Sequence, residues 1–584
     1  MRHYLSSIVL ILLLFSCKEI EKKIEESTTE PPTMAIDVYK ENQSLDYDNL
    51  IKHYELLDKK YKEAKLINYG NGDLGKPIYA FIIDKSERFS QTKDQVTILI
   101  NNAIHPGEPC GVDASINLAN QLLGDKNYEK ILENVTVVII PIYNVDGALN
   151  RGCCSRVNQN GPEMYGFRGN AKNLDLNRDF VKNDSKNSEV FAKIFHDFKP
   201  QLFVDTHESN GSDYQYTMTL ITSQLDKMHP ELSSYVREKL RPFLFAEMEK
   251  ANYPMVPYVV SKDDHPESGI VDYLETPRYS TGYANLFNCI SFVTETHMWK
   301  PYPNRVESTY IFLEKLIKFA ANNHTDIIEK VTNANKQTIE QKYFTLNWQL
   351  DTTRFDTINF KGYEAIYYNS SISGLKTYKY DRNKPFEKPI HYYNRYNALD
   401  TIQKPKYYVI PQAWDDVIGR LENNRIEFSK LEKDTTIEVE TYYIERFETW
   451  KNPYEGHYGH YNTNVRKETQ KIQFYEGDIL ISTNQQGVRF LIETLEPKAS
   501  DSYFNWGFFD AIVQQKEYFS AYIFEDKAIE ILETDSTLKA DFYAKQKADK
   551  EFASNHYKQL DFIYKRSPHY EKSHNRYPVY RIIH

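Results

Sequence analysis

Four stretches of this chain end in residues able to do chemistry: His105 with Glu108, Asn144 with Asp146, His207 with Glu208, and Glu295 with His297. In His105-Pro106-Gly107-Glu108 an imidazole and a carboxylate stand three positions apart. Such a pair gives Zn²⁺ two protein ligands and leaves it needing one more, together with a water. His207 is the natural third ligand. Hydrolysis at such a centre also needs a carboxylate that takes a proton from the attacking water and passes it to the leaving amine. Glu295 fits that task, since it follows a buried apolar run. Glu208 alternates with His207 along the same run and is expected on the opposite face. For His297 a packing role beside the metal ligands is expected.

These residues need elements that bring them together. The runs that precede them, VTILINNAI (96–104), VTVVIIPIY (135–143), QLFVDT (201–206) and CISFVTE (289–295), are short and almost continuously apolar. That is the pattern of strands buried on both faces. Between the first two lies CGVDASINLANQLL, with apolar residues at helical spacing, so strand, helix and strand form a βαβ unit. The fold class read from this is α/β, a mixed and largely parallel central sheet flanked by helices. In such sheets the ligand site lies beyond the carboxyl ends of the strands, where all four polar clusters would meet. An amphipathic helix over 46–62 and a glycine-punctuated strand precede the first run. After about residue 335 the chain turns to alternating, Tyr-rich runs such as TIEVETYYIERF and KIQFYEGDILIS, with helical material after Phe504. This reads as a β-rich accessory domain.

The segment Arg168-Gly-Asn-Ala-Lys-Asn-Leu-Asp-Leu-Asn177-Arg178-Asp-Phe stands between the second and third clusters. It resembles the substrate-binding segment of zinc metallocarboxypeptidases related to carboxypeptidase A, and more closely their regulatory N/E branch. The order His105, Glu108, the Asn144–Gly147 turn, Arg168, Asn177-Arg178, His207 and Glu295 follows that family over about residues 40 to 325. The resemblance implies a zinc carboxypeptidase fold with one Zn²⁺ and substrates that are peptide or protein C-termini. Arg178 with Asn177 would grip the terminal carboxylate, for which a planar guanidinium is suited. Arg168 would stabilise the oxyanion, and Glu295 would act as general base. The family's mobile substrate-covering tyrosine is expected at Tyr283, with Tyr273 as the other position, and Val271 at the floor of the side-chain pocket. Alternatives of other kinds are a same-fold amide hydrolase acting on peptidoglycan stem peptides or acylated amino acids, and a non-catalytic surface lipoprotein that captures peptides. A binder has no need of Glu295.

The whole chain has 584 residues, 41% hydrophobic and 26% charged, with 46 Tyr and 31 Phe and a formal charge of −10. It is long enough for several domains and lacks the basic stripe a nucleic-acid reader needs. MRHYLSSIVLILLLFSC has a basic start and an apolar run too short to span a bilayer, the pattern of a signal peptide. Its end, Leu14-Phe15-Ser16-Cys17, resembles the bacterial lipobox, making Cys17 the expected lipid attachment site. The expected location is therefore the bacterial cell envelope, lipid-anchored to the outer membrane on its periplasmic or surface face. Residues 18–40 read as a tether, 41–335 as the catalytic domain and 336–584 as the accessory domain. The remaining cysteines, Cys110, Cys153, Cys154 and Cys289, are too few for a disulfide framework, and the adjacent pair reads as incidental thiols in a loop.

Overall fold

The computed structural model describes residues 35–584. The expected signal peptide, Cys17 and most of the expected tether lie outside the described residues. At its other end that tether is shorter than the sequence suggests. Ile36 and Val38 are apolar and pack on the main core, so the folded part begins ahead of residue 40.

Eight strands form the central sheet: β1 (Ala64–Asn71), β2 (Pro77–Ile83), β3 (Val96–Asn101), β4 (Val135–Ile140), β5 (Leu202–Ser209), β6 (Met218–Thr222), β7 (Met255–Pro257) and β8 (Ile290–His297). Their spatial order is β1-β2-β4-β3-β5-β8-β6-β7. The middle four, β4, β3, β5 and β8, run parallel, while β2 and β6 join them antiparallel on either side. Every residue of β3, β4 and β5 is buried, as their apolar runs require. Each Val, Ile or Leu so covered contributes about 1.5–3 kcal/mol relative to exposure.

Helices cover both faces, among them α1 (Tyr47–Lys60), α2 (Cys110–Gly124), α3 (Lys186–Phe198) and α4 (Tyr302–Asn322). The approach of α2 to the sheet is set by Gly111, where a Cβ would collide with the Thr206 side chain on β5. Among the described residues no helix is long and apolar enough to cross a membrane.

The accessory region does not begin where the composition shifts. Helix His324–Glu340 runs across residue 335, because Ile327, Val331, Ala334 and Thr338 keep one buried helical face, and the first strand beyond it starts at Tyr343. Downstream lie a long hairpin (Asp356–Asn369 with Lys376–Tyr393) and a six-stranded sheet that includes Thr435–Thr449 and His460–Phe474. This region is not a separate globule. Phe490, Tyr503, Phe504 and Tyr577 belong to the same buried cluster as Phe203 and Tyr283, and Ile270–Val271 pairs with the hairpin strand at Tyr392–Tyr393. The helices of 521–564 gather a small core of their own around Phe524, Phe542 and Phe552, and the six-stranded sheet gathers another around Val409, Val439, Phe474 and Tyr580.

Candidate active site

His105, Glu108 and His207 offer donor atoms that all lie within 4.8 Å of one another, each residue buried. His207 and Glu295 are direct register partners in the parallel ladder of β5 and β8, so the pleat carries both to one face. Glu208, one residue on, faces the other way and forms a buried ion pair with Arg305 of α4. His297 bonds the Ser212 carbonyl at 3.1 Å and packs on Tyr214, away from the ligand cluster.

The donor set fits zinc. His105 Nδ1 is buried and makes no hydrogen bond, although Glu108 Oε1 lies 3.2 Å from it. The other ring nitrogen, Nε2, is 2.9 Å from Asp175 Oδ1. His207 repeats the arrangement, with Nδ1 3.1 Å from Glu108 and Nε2 2.9 Å from Asp205. One carboxylate behind each imidazole fixes its ring and leaves Nδ1 for a metal. Burial alone would raise the Glu108 carboxyl, but His105, Arg156 and the bonds from both histidines outweigh it and hold it well below the usual carboxylate range. Glu108 is thus ionised, as a ligand must be.

Glu295 is the opposite case. Burial pushes its carboxyl up to about 8, with Glu108 and Asp205 adding to the rise and His207 and Arg168 opposing it. A raised carboxyl facing a metal-ligand cluster is a group poised to exchange protons near neutrality.

The segment from Arg168 to Arg178 has little regular structure of its own. Asn144 donates to the Arg168 carbonyl at 3.0 Å, tying the loop to the turn that follows β4. Arg168 bonds Asp175 through Nε at 3.0 Å and reaches Glu108 at 3.5 Å. Asn177 accepts from the Ser280 amide at 3.0 Å. Arg178 lies 4.5 Å over the Tyr279 ring and donates Nε to the Tyr454 hydroxyl at 2.8 Å. Burial alone would lower the guanidinium, but Asp175 outweighs that and keeps it charged.

A cavity of about 740 Å³ is lined by His105, Glu108, Arg168, Asn177, Arg178, His207, Tyr273 and Glu295. Among the residues singled out from the sequence for this site, Tyr283 does not line the cavity. It is 1% exposed, bonds His196 at 3.0 Å and Asn424 at 2.7 Å, and packs among Phe180, Phe195 and Phe287 in the core. Its Ser-Thr-Gly surroundings suggested a loop, yet residues 280–285 form a buried helix in which a Cβ at Gly282 would collide with the Thr276 carbonyl. Val271 also does not line the cavity, being held in a ladder between Val260 and Tyr393. Ile221 and Val293 supply the apolar lining instead.

Sequence reasoning missed Tyr258, Tyr279 and Arg156, all on the cavity wall. Arg156 bonds Glu108 at 2.9 Å, and Gly107 makes room for it, since a Cβ there would strike its side chain. The glycine of His-Pro-Gly-Glu was the available signal. Just before Arg156 the adjacent Cys153 and Cys154 are joined in a disulfide rather than standing as free thiols. They are neighbours in sequence, with Cα atoms 3.8 Å apart, and both are exposed on this loop.

The family described as Zinc carboxypeptidase matches residues 50–235. Carboxypeptidase 2 of Trichophyton tonsurans is 22% identical over 457 residues, covering 72% of this chain and 76% of that protein. Carboxypeptidase 2 of Trichophyton rubrum is 22% identical over 435 residues, covering 71% and 74%. A metallo-carboxypeptidase from Burkholderia cenocepacia has a solved structure that covers 47% of this chain and 70% of its own, at 16% identity and a TM-score of 0.36. The whole His-Glu-His cluster lies inside the matched span, so residues 50–235 carry a zinc carboxypeptidase domain with the metal-ligand set of a metallocarboxypeptidase.

Proposed function

We propose that this enzyme releases the C-terminal residue of peptides or proteins, using one Zn²⁺ held by His105, Glu108 and His207. The observation that carries the reading is one cavity that gathers the ligand cluster, a raised carboxyl at Glu295 and the guanidiniums of Arg156, Arg168 and Arg178. Bound Zn²⁺ supplies a Lewis acid that polarises the scissile carbonyl and acidifies water. Glu295 accepts the proton of the attacking water and returns it to the leaving amine. Arg168, which reaches Glu108, donates to the oxyanion that develops at the carbonyl. Arg178, with Asn177 beside it, holds the free terminal carboxylate and makes the enzyme an exopeptidase. Tyr258, Tyr273 and Tyr279 border the same space, and Ile221 with Val293 favours an apolar terminal side chain. In the cell the enzyme is exported and lipid-anchored through Cys17 in the envelope, a reading that rests on the N-terminal sequence alone.

The test is release of C-terminal amino acids from a mixed peptide library by protein lacking residues 1–17, with and without chelator, beside Glu295→Gln. Chelator-sensitive trimming that the substitution abolishes is the expected result. Zinc-loaded protein that trims no peptide would sink the proposal. Acyl-labelling of the full-length protein, lost in Cys17→Ser, tests the anchor.

A further inference from the structure

Arg178 is held from a distant part of the chain. Residues Trp450 to Gly459 leave the six-stranded sheet as a strap closed by the Trp450 amide on the Gly459 carbonyl at 2.9 Å. At its tip Tyr454 and His457 exchange backbone bonds of 2.8 and 3.1 Å around Glu455 (φ 49°) and Gly456 (φ 82°). Positive φ at both central residues is the type I′ hairpin turn, which favours Asn, Asp or Gly at its first central position. Glutamate there adopts a conformation that L residues rarely take, and this calls for a compensating contact. The contact is present: Glu455 Oε2 accepts the backbone amide of Asp175 at 2.7 Å. Asp175 is the carboxylate behind His105 and beside Arg168.

Tyr454, at the next position, accepts from Arg178 Nε, while Arg178 Nη1 donates to the Asn177 carbonyl at 2.8 Å. Nη2 then has no hydrogen bond to another described residue and is free for a ligand oxygen. The strap is itself braced, since Trp450 and Tyr454 pack on the buried Trp506, and His457 bonds Asp184 at 2.7 Å.

We propose that this strap is part of the substrate-recognition machinery: Tyr454 is a positioning residue for Arg178, and Glu455 for Asp175. The inference rests on the carboxypeptidase reading above and deepens it. With Nε occupied by Tyr454, the guanidinium cannot rotate about its own axis, and its Nη edge stays aimed at the terminal carboxylate. With the Asp175 amide held by Glu455, the carboxylate that orients His105 keeps its place.

Binding of a free-carboxylate tripeptide and of its C-terminal amide to zinc-loaded, mature Glu295→Gln protein gives the test, beside steady-state turnover in the Glu295 background. Tyr454→Phe keeps the ring packing and loses only the hydroxyl. It should weaken binding of the free acid about tenfold, the scale of a hydrogen bond to a charged group, and leave the amide unchanged. Turnover should show the same rise in KM with kcat within about twofold, and no further effect once Arg178→Met is present. Glu455→Ala should speed zinc loss to a chelator about threefold, while Glu455→Gln, which keeps an acceptor, should not. If Arg178→Met abolishes acid binding but Tyr454→Phe leaves it within twofold, the strap proposal is wrong and the carboxypeptidase reading stands. If wild-type protein trims nothing and Arg178→Met binds the peptide as wild type does, the reading itself fails and takes the strap with it.

Discussion

The two halves of the cavity are built differently. The half that holds His207, Glu108 and Glu295 stands on regular structure: His207 and Glu295 are ladder partners in β5 and β8, and Glu108 stands at the foot of α2. The other half, Arg168 to Arg178, has only the three-residue turn Leu176–Arg178 and is fixed by side-chain bonds from Asn144, Asp146, Tyr454 and Glu455. Proton transfer and metal ligation require placement to within about half an ångström, a precision that paired strands supply. Arg168 and Arg178, to which the proposal above gives substrate contacts, are held instead by several weaker ties, so damage to any one of them should be graded.

The difference can be broken by substitution. Glu295→Gln should lower kcat by about 10² to 10⁴, the range of general-base catalysis, with KM little changed in steady-state assays. Arg178→Met should lower kcat/KM for free-acid substrates by about 10² to 10³ through a lost charge-paired contact, measured against the C-terminal amide. Should it instead lower kcat alone, the division into two halves fails. Asp205→Asn, behind His207, should weaken zinc binding about 10- to 100-fold in a chelator competition without altering peptide binding.

A pH test sharpens the same contrast. In metal-free protein the Glu295 carboxyl is pushed up to about 8 by burial, above its unfolded value of about 4.3. The folded state therefore binds the proton more tightly, and this group's contribution to stability is present below about 4.3 and is lost as pH rises toward 8. Chelated wild type should lose more melting temperature between pH 5 and pH 8 than chelated Glu295→Gln. Zinc adds positive charge beside the carboxylate and should shrink that difference. The smallest effect belongs to Tyr283→Phe, which should cost about 1 kcal/mol of stability and leave kcat/KM unaltered. A large loss of activity there would contradict its place in the core.

The legibility of the sequence divides along the same line. Strand-borne residues could be read because a buried apolar run announces both the strand and the end at which its polar residues emerge, as before His105, His207 and Glu295. Arg168, Asn177 and Arg178 were visible only through the family resemblance, since nothing local in that loop dictates its shape. Tyr283 was misjudged because glycine and serine mark both loops and tight helix packing, and only Thr276 pressing on Gly282 decides between them. Tyr258 and Tyr279 were three-dimensional neighbours with no periodic signal among 46 tyrosines. The shared core of catalytic and accessory regions was hidden because composition records strand type, while the partner of a strand face is chosen by residues hundreds of positions away.

That separation bears on the order in which the cavity is completed. Tyr454 and Glu455 meet Arg178 and Asp175 across 276 and 280 residues of chain. Contacts of such sequence separation form late, after the entropy of closing a long loop has been overcome. During synthesis the strands that carry His207 and Glu295 can assemble while Arg178 is still unbraced. The surroundings of Arg178 are therefore complete only once the chain has been made through residue 459 and has folded back onto residues 168–178.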